Sequence, residues 1–352
     1  MKSTKFITKA IIVNATALDR SGALSILKQF VYNIPEQKHQ WIVFIDSKVN
    51  IEITRSNVKL ISVDGVKSMI KRIWWDYYGL NKFLLRHKIQ PIACISLQNT
   101  NFRVSNSVTH FTYYHQSIPF YKNQWNPLKK EERTLWFYKY IYPIMVKLSI
   151  NKSTKILVQL QYIKKEFSEM FNHPQNNIQV FTPSVNKPNL TLKKELKSEY
   201  LNLFYPATNH IYKNHSVIIK AVNQSNRNSK LYLTLPSGTS KERIENIGFI
   251  PQDEIFSLYN SCDALLFPSY IETFGLPLIE AALTGIPIIA SDLPYAREVL
   301  DGYEGVTFVK FDNVHDWSIA IDNLKKGKRY KPINIDKRPS WIELFEYIEQ
   351  NL

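Results

Sequence analysis

The stretch FPSYIETFGLPLIEAALTGIPIIASD, Phe267–Asp292, decides how this chain is read. It opens at the end of an apolar run, ALLF at Ala264–Phe267, which is short, bounded by Pro268 and Ser269, and suited to a strand buried on both faces. The run IPIIA at Ile286–Ala290 reads the same way and stops at Ser291 and Asp292. Between them, Pro277 suits the first position of a helix, where its missing N–H is not needed. Gly285 suits the residue just past that helix's end. Strand, loop, helix and strand in this order make the βαβ unit of an open parallel sheet. Glu272 then falls on the loop at a strand's carboxyl end, and Glu280 in the first turn of the helix. Ligands of such sheets bind at that end. The N–H groups of Phe274, Gly275 and Leu276 are expected at the helix N-terminus, where an anion can be held. Gly275 lets a ligand approach the backbone closely. A ligand carrying both phosphate and hydroxyl groups would engage the amides and the two carboxylates together, although a glutamate in a first helical turn also serves the helix dipole with no ligand at all.

The whole string narrows the reading. E-x-F-G-L-P-x-x-E, then E-A with a small residue, then G-x-P-I-I-A, resembles the donor site of retaining GT-B glycosyltransferases of family four, whose paired glutamates also have seven residues between them. The resemblance implies an α/β protein of GT-B class, two doubly wound Rossmann-like domains facing across a cleft. The order of elements agrees. KAIIVNAT reads as a first strand, Ser21–Val31 as a helix, and QWIVFID, VKLISVD and IQPIACISLQN as further strands. A long helical segment from about Val66 precedes the last of these. VTHFTYYHQSIPF and KILVQL extend the series across a helix-rich region at 128–150, and IQVFTPSVNKP, with Pro183 and Pro188, reads as an interdomain linker. A second alternating series starts at YLNLFYPA. The expected division is an acceptor-binding domain over 1–183 and a donor-binding domain over 184–339. The final helix, 340–352, is expected from the resemblance to pack back on the first domain.

Site residues follow from the resemblance residue by residue. Glu280 would hold the ribose hydroxyls of a nucleotide sugar, and Glu272, as a catalytic residue, the sugar ring. Lys213, in FYPATNHIYKNHSVIIKA, matches the family's diphosphate lysine. The family's arginine falls on or near Ala207, and its second glycine is Asn214 here, so the diphosphate would lean on Lys213 and the Phe274, Gly275 and Leu276 amides. His115, in YYHQSIPFY, matches a histidine at the sugar end of the cleft and is the second catalytic candidate. Gly22, Gln98 and Asn99 would line the acceptor side. No D-x-D, H-E-x-x-H or cysteine cluster occurs, so no metal and no cofactor beyond the nucleotide-sugar substrate is expected.

Composition bounds the rest. The 352 residues are enough for two domains, and 44% apolar residues for two cores. No run reaches the roughly 18 to 20 apolar residues of a membrane span. The N-terminal lysines precede a run broken by Asn14 and Thr16, which suits a strand better than a signal peptide. Two isolated cysteines, Cys94 and Cys262, suit a reducing cytoplasm. The net charge of +15 lies wholly in the first half: 26 Lys and Arg against 10 Asp and Glu up to residue 183, and 19 against 20 beyond it. That asymmetry calls for an anionic partner of the first domain. The stretch Pro127–Lys155 interleaves lysines with Trp136, Phe137, Tyr138, Tyr140 and Tyr142, as an interfacial helix does. The resemblance implies a nucleotide sugar and, by analogy, a polyprenyl-diphosphate-linked glycan acceptor of O-antigen or capsule assembly as partners, and the charge adds the inner face of the cell membrane. Nucleic acid is not expected, because no RNP aromatic pair is present. An epimerase on the same fold and a non-catalytic basic RNA- or membrane-binding protein are the alternatives.

Overall fold

The run TKAIIVNA at Thr8–Ala15 forms strand β1, and its last six residues are buried, as a central strand covered on both faces requires. The computed structural model describes residues 8–19, 21–36, 38–66, 68–104, 108–185, 194–238, 242–251, 254–336 and 338–352. The chain divides into two compact units, Met1–Ser184 with Arg338–Leu352, and Val185–Lys337. In the first, β1 is followed by α1 (Ser21–Asn33), β2 (Gln40–Asp46), β3 (Val58–Val63), α2 (Met69–Trp74), α3 (Leu80–Arg86), β4 (Ile89–Ser96), β5 (Thr109–Tyr113), α4 (Arg133–Tyr140), α5 (Tyr142–Ser149), β6 (Lys155–Val158), α6 (Gln161–Phe171) and β7 (Ile178–Val180). The second unit holds β8 (Leu201–Tyr205), α7 (His215–Gln224), β9 (Ser229–Leu233), β10 (Ile244–Asn246), α8 (Ile255–Ser261), β11 (Ala264–Phe267), α9 (Leu276–Leu283), β12 (Ile288–Ser291), α10 (Pro294–Val299), β13 (Val306–Val309) and α11 (Val314–Asp322). The last helix, α12 (Trp341–Glu349), belongs to the first unit.

Both sheets are parallel throughout, ordered β3-β2-β1-β4-β5-β6-β7 and β10-β9-β8-β11-β12-β13. Each order reverses at its first strand, so the units carry switch points between β1 and β4 and between β8 and β11, where crossovers leave in opposite directions and ligands of such sheets bind.

Alternation along β1 and β2 loads the two faces of the first sheet. Val13, Trp41 and Val43 join Phe30 and the last helix on one face, and Ile12, Ile42 and Phe44 meet Trp75 and Leu84 on the other. Helix α12 packs here because Trp341, Leu344, Phe345 and Ile348 repeat at helical spacing. Its start is fixed by a capping box between Ser340 and Glu343. The Phe345 ring meets Phe30 and Trp41 at 5.1 and 5.5 Å, and Trp341 Nε1 donates to Gln29 Oε1 at 2.9 Å.

Three local expectations change. Ile178–Val180, read as linker, pairs with β6 as an edge strand; the prolines that suggested a linker lie beyond it, and Pro188 is outside the described residues. The helix after Val66 carries a π-helical turn at Trp75–Gly79 between α2 and α3. Helix α9 begins at Leu276, so Pro277 is its second residue and Glu280 its fifth, in the second turn, not the first. The reason is Gly275, whose φ of +86° and ψ of 58° make it the residue before the helix. Gly285, at φ +71°, does close the helix as expected, and a Cβ there would meet the Tyr330 carbonyl oxygen at 2.3 Å. Pro143, as a proline inside a helical stretch should, divides the aromatic stretch into α4 and α5, which turn Leu135 and Tyr142 inward and leave Trp136, Phe137 and Tyr138 half-buried; Tyr140 stays exposed. Cys94 and Cys262 are buried free thiols in different units.

Candidate functional site

At the switch point of the second unit, two loops are stitched together by the backbone. The loop after β8 reaches α7 through a 3₁₀ turn at Ile211–Lys213 and Asn214, at φ +57°. The loop after β11 runs from Pro268 to Gly275. Tyr270 N–H donates to Tyr212 O at 3.0 Å, and Asn214 Nδ2 donates to Phe311 O at 2.7 Å and Pro268 O at 3.3 Å. Tyr205 hydroxyl donates to Lys213 O at 2.8 Å, and Tyr295 hydroxyl to Ser269 O at 2.6 Å. One backbone bond and four side-chain bonds thus hold these loops in place. Lys213 Nζ then pairs with Glu272 Oε1, both side chains mostly buried at 17% and 13% exposure. A cation and a carboxylate therefore stand together on the loops that lead into α9, where Leu276 N–H has no helical carbonyl before it, Pro277 has no N–H and Leu278 N–H donates to Gly275 O at 2.9 Å.

Glu280 lies a turn further along α9, 6% exposed, and accepts from Tyr259 hydroxyl at 3.2 Å. The Tyr259 contact is invisible in sequence, since twenty-one residues separate the two. Also unanticipated is His215, the first residue of α7. Its ring packs 5.0 Å from Tyr205, burial lowers its pKa to about 4, and its Nε2 is buried with no hydrogen-bond partner among the described residues.

The switch point of the first unit is a second polar cluster. Asp76, on the π-helical turn, accepts from Asn14 Nδ2 at 2.7 Å and from Gln98 Nε2 at 3.0 Å. Arg72 Nε stands 3.8 Å from Asp76 Oδ2, while its Nη2 donates to Gln98 O at 2.7 Å and Thr100 Oγ1 at 3.2 Å. Burial raises the Asp76 pKa to about 6 against the lowering effect of Arg72. Gln98, expected on the acceptor side, is buried and spends its carboxamide inward: Oε1 also accepts from Ala17 N at 3.1 Å. Asn99, at φ +67°, accepts from His115 N at 2.6 Å. His115 Nε2 donates to Leu97 O at 3.1 Å, so Nδ1 is its deprotonated nitrogen, and burial holds its pKa near 4. The ring is neutral at pH 7. Gly22, the second residue of α1, faces open space, with no atom within 4 Å of a Cβ built there.

The structure thus gathers Lys213, Glu272, Phe274, Gly275 and Leu276 in the second unit, with Glu280 one turn away. It gathers Gln98, Asn99 and His115 in the first. No group of three His, Cys, Asp or Glu placed to hold a metal occurs among the described residues. No helix among them is long and apolar enough to cross a membrane.

Residues 187–340 match the sequence model of the family described as glycosyl transferases group 1. The chain is similar to the O-antigen chain mannosyltransferase RfbU of Salmonella typhimurium, 26% identical over 60% of this chain and 64% of that protein's length. A shorter match, 37% identical over 22% of this chain and 9% of the relative, is to the serotype-specific mannosyltransferase WbdA of Escherichia coli. Among solved structures it is similar to the lipopolysaccharide outer core galactosyltransferase WaaB, with TM-score 0.65 and 15% identity over 98% of this chain and all of that one. It is also similar to HepE of Anabaena in complex with UDP and glucose, with TM-score 0.62 and 12% identity over 98% and 99% of the two chains. Residues 187–340 are thus similar to the glycosyl transferases group 1 family, and the chain has a GT-B fold.

Proposed function

We propose that the protein moves a sugar, with retention of anomeric configuration, from a nucleotide-sugar donor to a lipid-linked glycan acceptor in the assembly of a bacterial surface polysaccharide. The observation that carries this reading is the junction of Lys213, Glu272 and the α9 N-terminus at one switch point. An ammonium and helix-end amides suit a diphosphate, and the carboxylates suit hydroxyls. In the proposed complex Lys213 and the Phe274–Leu276 amides hold the diphosphate, Glu272 the sugar ring and Glu280 the ribose. Charge building on the departing phosphate is met by Lys213 in place of a metal ion. The acceptor hydroxyl attacks from the face the phosphate leaves, and the leaving phosphate oxygen takes its proton. His115, neutral with its Nε2 donating to Leu97 O, presents Nδ1 as an acceptor for a sugar hydroxyl. RfbU is by name an O-antigen chain mannosyltransferase, which supports this class of acceptor. Transfer from a radiolabelled nucleotide hexose onto polyprenyl-diphosphate-linked glycan should proceed in EDTA, and the new linkage should keep the donor's anomeric configuration by NMR. Activity that needs an added divalent cation, or an inverted product, would sink the respective part of this reading.

The basic first unit would meet the acceptor at an anionic membrane surface. Lys129, Lys130, Arg133 and Lys147 are exposed, as are Leu128 and Ile144. Lys139 is not available in the same way, since its ammonium donates to Tyr121 O. Each exposed cation near an anionic leaflet contributes roughly 1 kcal/mol, fading within a Debye length. Co-sedimentation should therefore rise with the anionic lipid content of vesicles and fall towards about 0.5 M salt. Equal recovery on neutral and anionic vesicles would refute surface docking.

A further inference from the structure

The first unit holds a groove that the polar cluster around Asp76 closes at one end. Its volume is about 440 Å³, within the range of ligand sites. One wall is Met69, Ile73 and Tyr77, the other Phe137, Met145 and Leu148, and Arg72, Asp76 and Thr100 form the inner end. The walls continue outward into exposed apolar side chains on both sides: Ile70 at 81% and Trp74 at 54% on α2, Leu148 at 70% on α5. Apolar groups grouped at such exposure are a standing cost unless something covers them.

The lining selects the kind of occupant. Two methionines at facing positions give an adaptable surface, suited to a flexible chain more than to a rigid ring. The inner end is polar, with Asp76 compensated by Arg72, Asn14 and Gln98. The helices that supply the walls also carry the exposed cations Lys71, Arg133 and Lys147, charge complementary to an anionic head. We infer that this groove binds the hydrocarbon chain of a phosphate-headed lipid, the apolar part of the acceptor. The inference rests on the lipid-linked acceptor of the proposed function and adds where its chain lies.

The test uses the full-length protein and two probes below their micelle concentrations, dodecyl phosphate and butyl phosphate, titrated by calorimetry. Dodecyl phosphate should bind at least tenfold more tightly, a difference of about 1.4 kcal/mol. Ile73→Asp and Leu148→Asp, both at exposed positions, should abolish that preference while leaving nucleoside diphosphate binding unchanged. Ile342→Asp, at an exposed apolar position on α12, should keep it. Equal binding of the two probes, a preference that survives Leu148→Asp, or one lost equally in Ile342→Asp would overturn the groove. So would a dimer in solution that Leu148→Asp converts to monomer, since a second copy would then be the occupant. The underlying reading fails separately: a chain-length preference without any sugar transfer keeps the groove and discards the transferase. Transfer that is equally efficient to dodecyl- and butyl-linked acceptors does the reverse.

Discussion

Lys213→Ala should lower kcat/KM for the nucleotide sugar by about 10²- to 10³-fold, the usual loss when one preorganised donor to a developing anion is removed. The expectation rests on position. Lys213 ends a 3₁₀ turn whose carbonyl is fixed by Tyr205 hydroxyl, and its ammonium is mostly buried against Glu272. The cation is therefore already placed, and the surrounding loops shield it from water that would weaken it. The resemblance puts the family's arginine position on or near Ala207, which leaves Lys213 as the cation proposed for the diphosphate. Glu272→Ala should lower kcat while leaving nucleotide affinity within about threefold, because its proposed partner is the sugar. The double variant should lose less than the product of the two single losses, since each residue positions the other. Near-UV circular dichroism and thermal unfolding of each variant separate lost chemistry from lost folding. A loss of under fivefold in Lys213→Ala, with the fold intact, would remove it from the diphosphate.

Glu280→Gln should raise the dissociation constant of the nucleoside diphosphate by about 10- to 100-fold, the range of one hydrogen bond to a charged group in a buried place. The substitution is chosen for what it retains. Glutamine keeps the shape and still offers an oxygen to Tyr259 hydroxyl, so α9 should stay anchored to α8. Only the charge goes. Glu280→Leu, by contrast, strips Tyr259 of that acceptor and should cost a further 1–3 kcal/mol of stability, roughly the penalty for a buried hydroxyl left unpaired. If Glu280→Gln binds nucleotide as tightly as wild type while Glu272→Ala does not, the two glutamates exchange roles.

Much of this was legible in sequence, and the boundary has a physical cause. Punctuation marked β11, α9 and β12, because Gly285 and Pro277 answer to backbone geometry alone. The parallel sheets were legible as short apolar runs at regular intervals. What sequence does not carry is which way a polar side chain turns. Gln98 and Asn99 end a strand that points at a ligand site, yet Gln98 is consumed by Asp76 and Ala17 and Asn99 by His115. Asp76 itself sits in an unremarkable run, IKRIWWDYYGL, and comes to the switch point only through a π-helical turn that local pattern does not announce. Just before that turn, Ile70 and Trp74 on α2 are exposed, which the sequence does not announce either. The one-residue shift of α9 follows from Gly275, whose left-handed conformation could be guessed from its type but not its role as the residue before the helix.

The central claim is that the switch point between β8 and β11 binds a nucleotide sugar. Thermal unfolding in EDTA with UDP-, GDP- and TDP-sugars tests it most directly. At 100 times its dissociation constant a ligand stabilises the folded state by about 2.7 kcal/mol. For a chain of 352 residues, at about 2.1 cal/mol/K of unfolding entropy per residue, that corresponds to a rise in Tm of roughly 3–4 °C. The account predicts such a rise with at least one of the three donors in wild type, and its reduction in both Lys213→Ala and Glu280→Gln. No shift with any donor at millimolar concentration, or an equal shift in both variants, would contradict it.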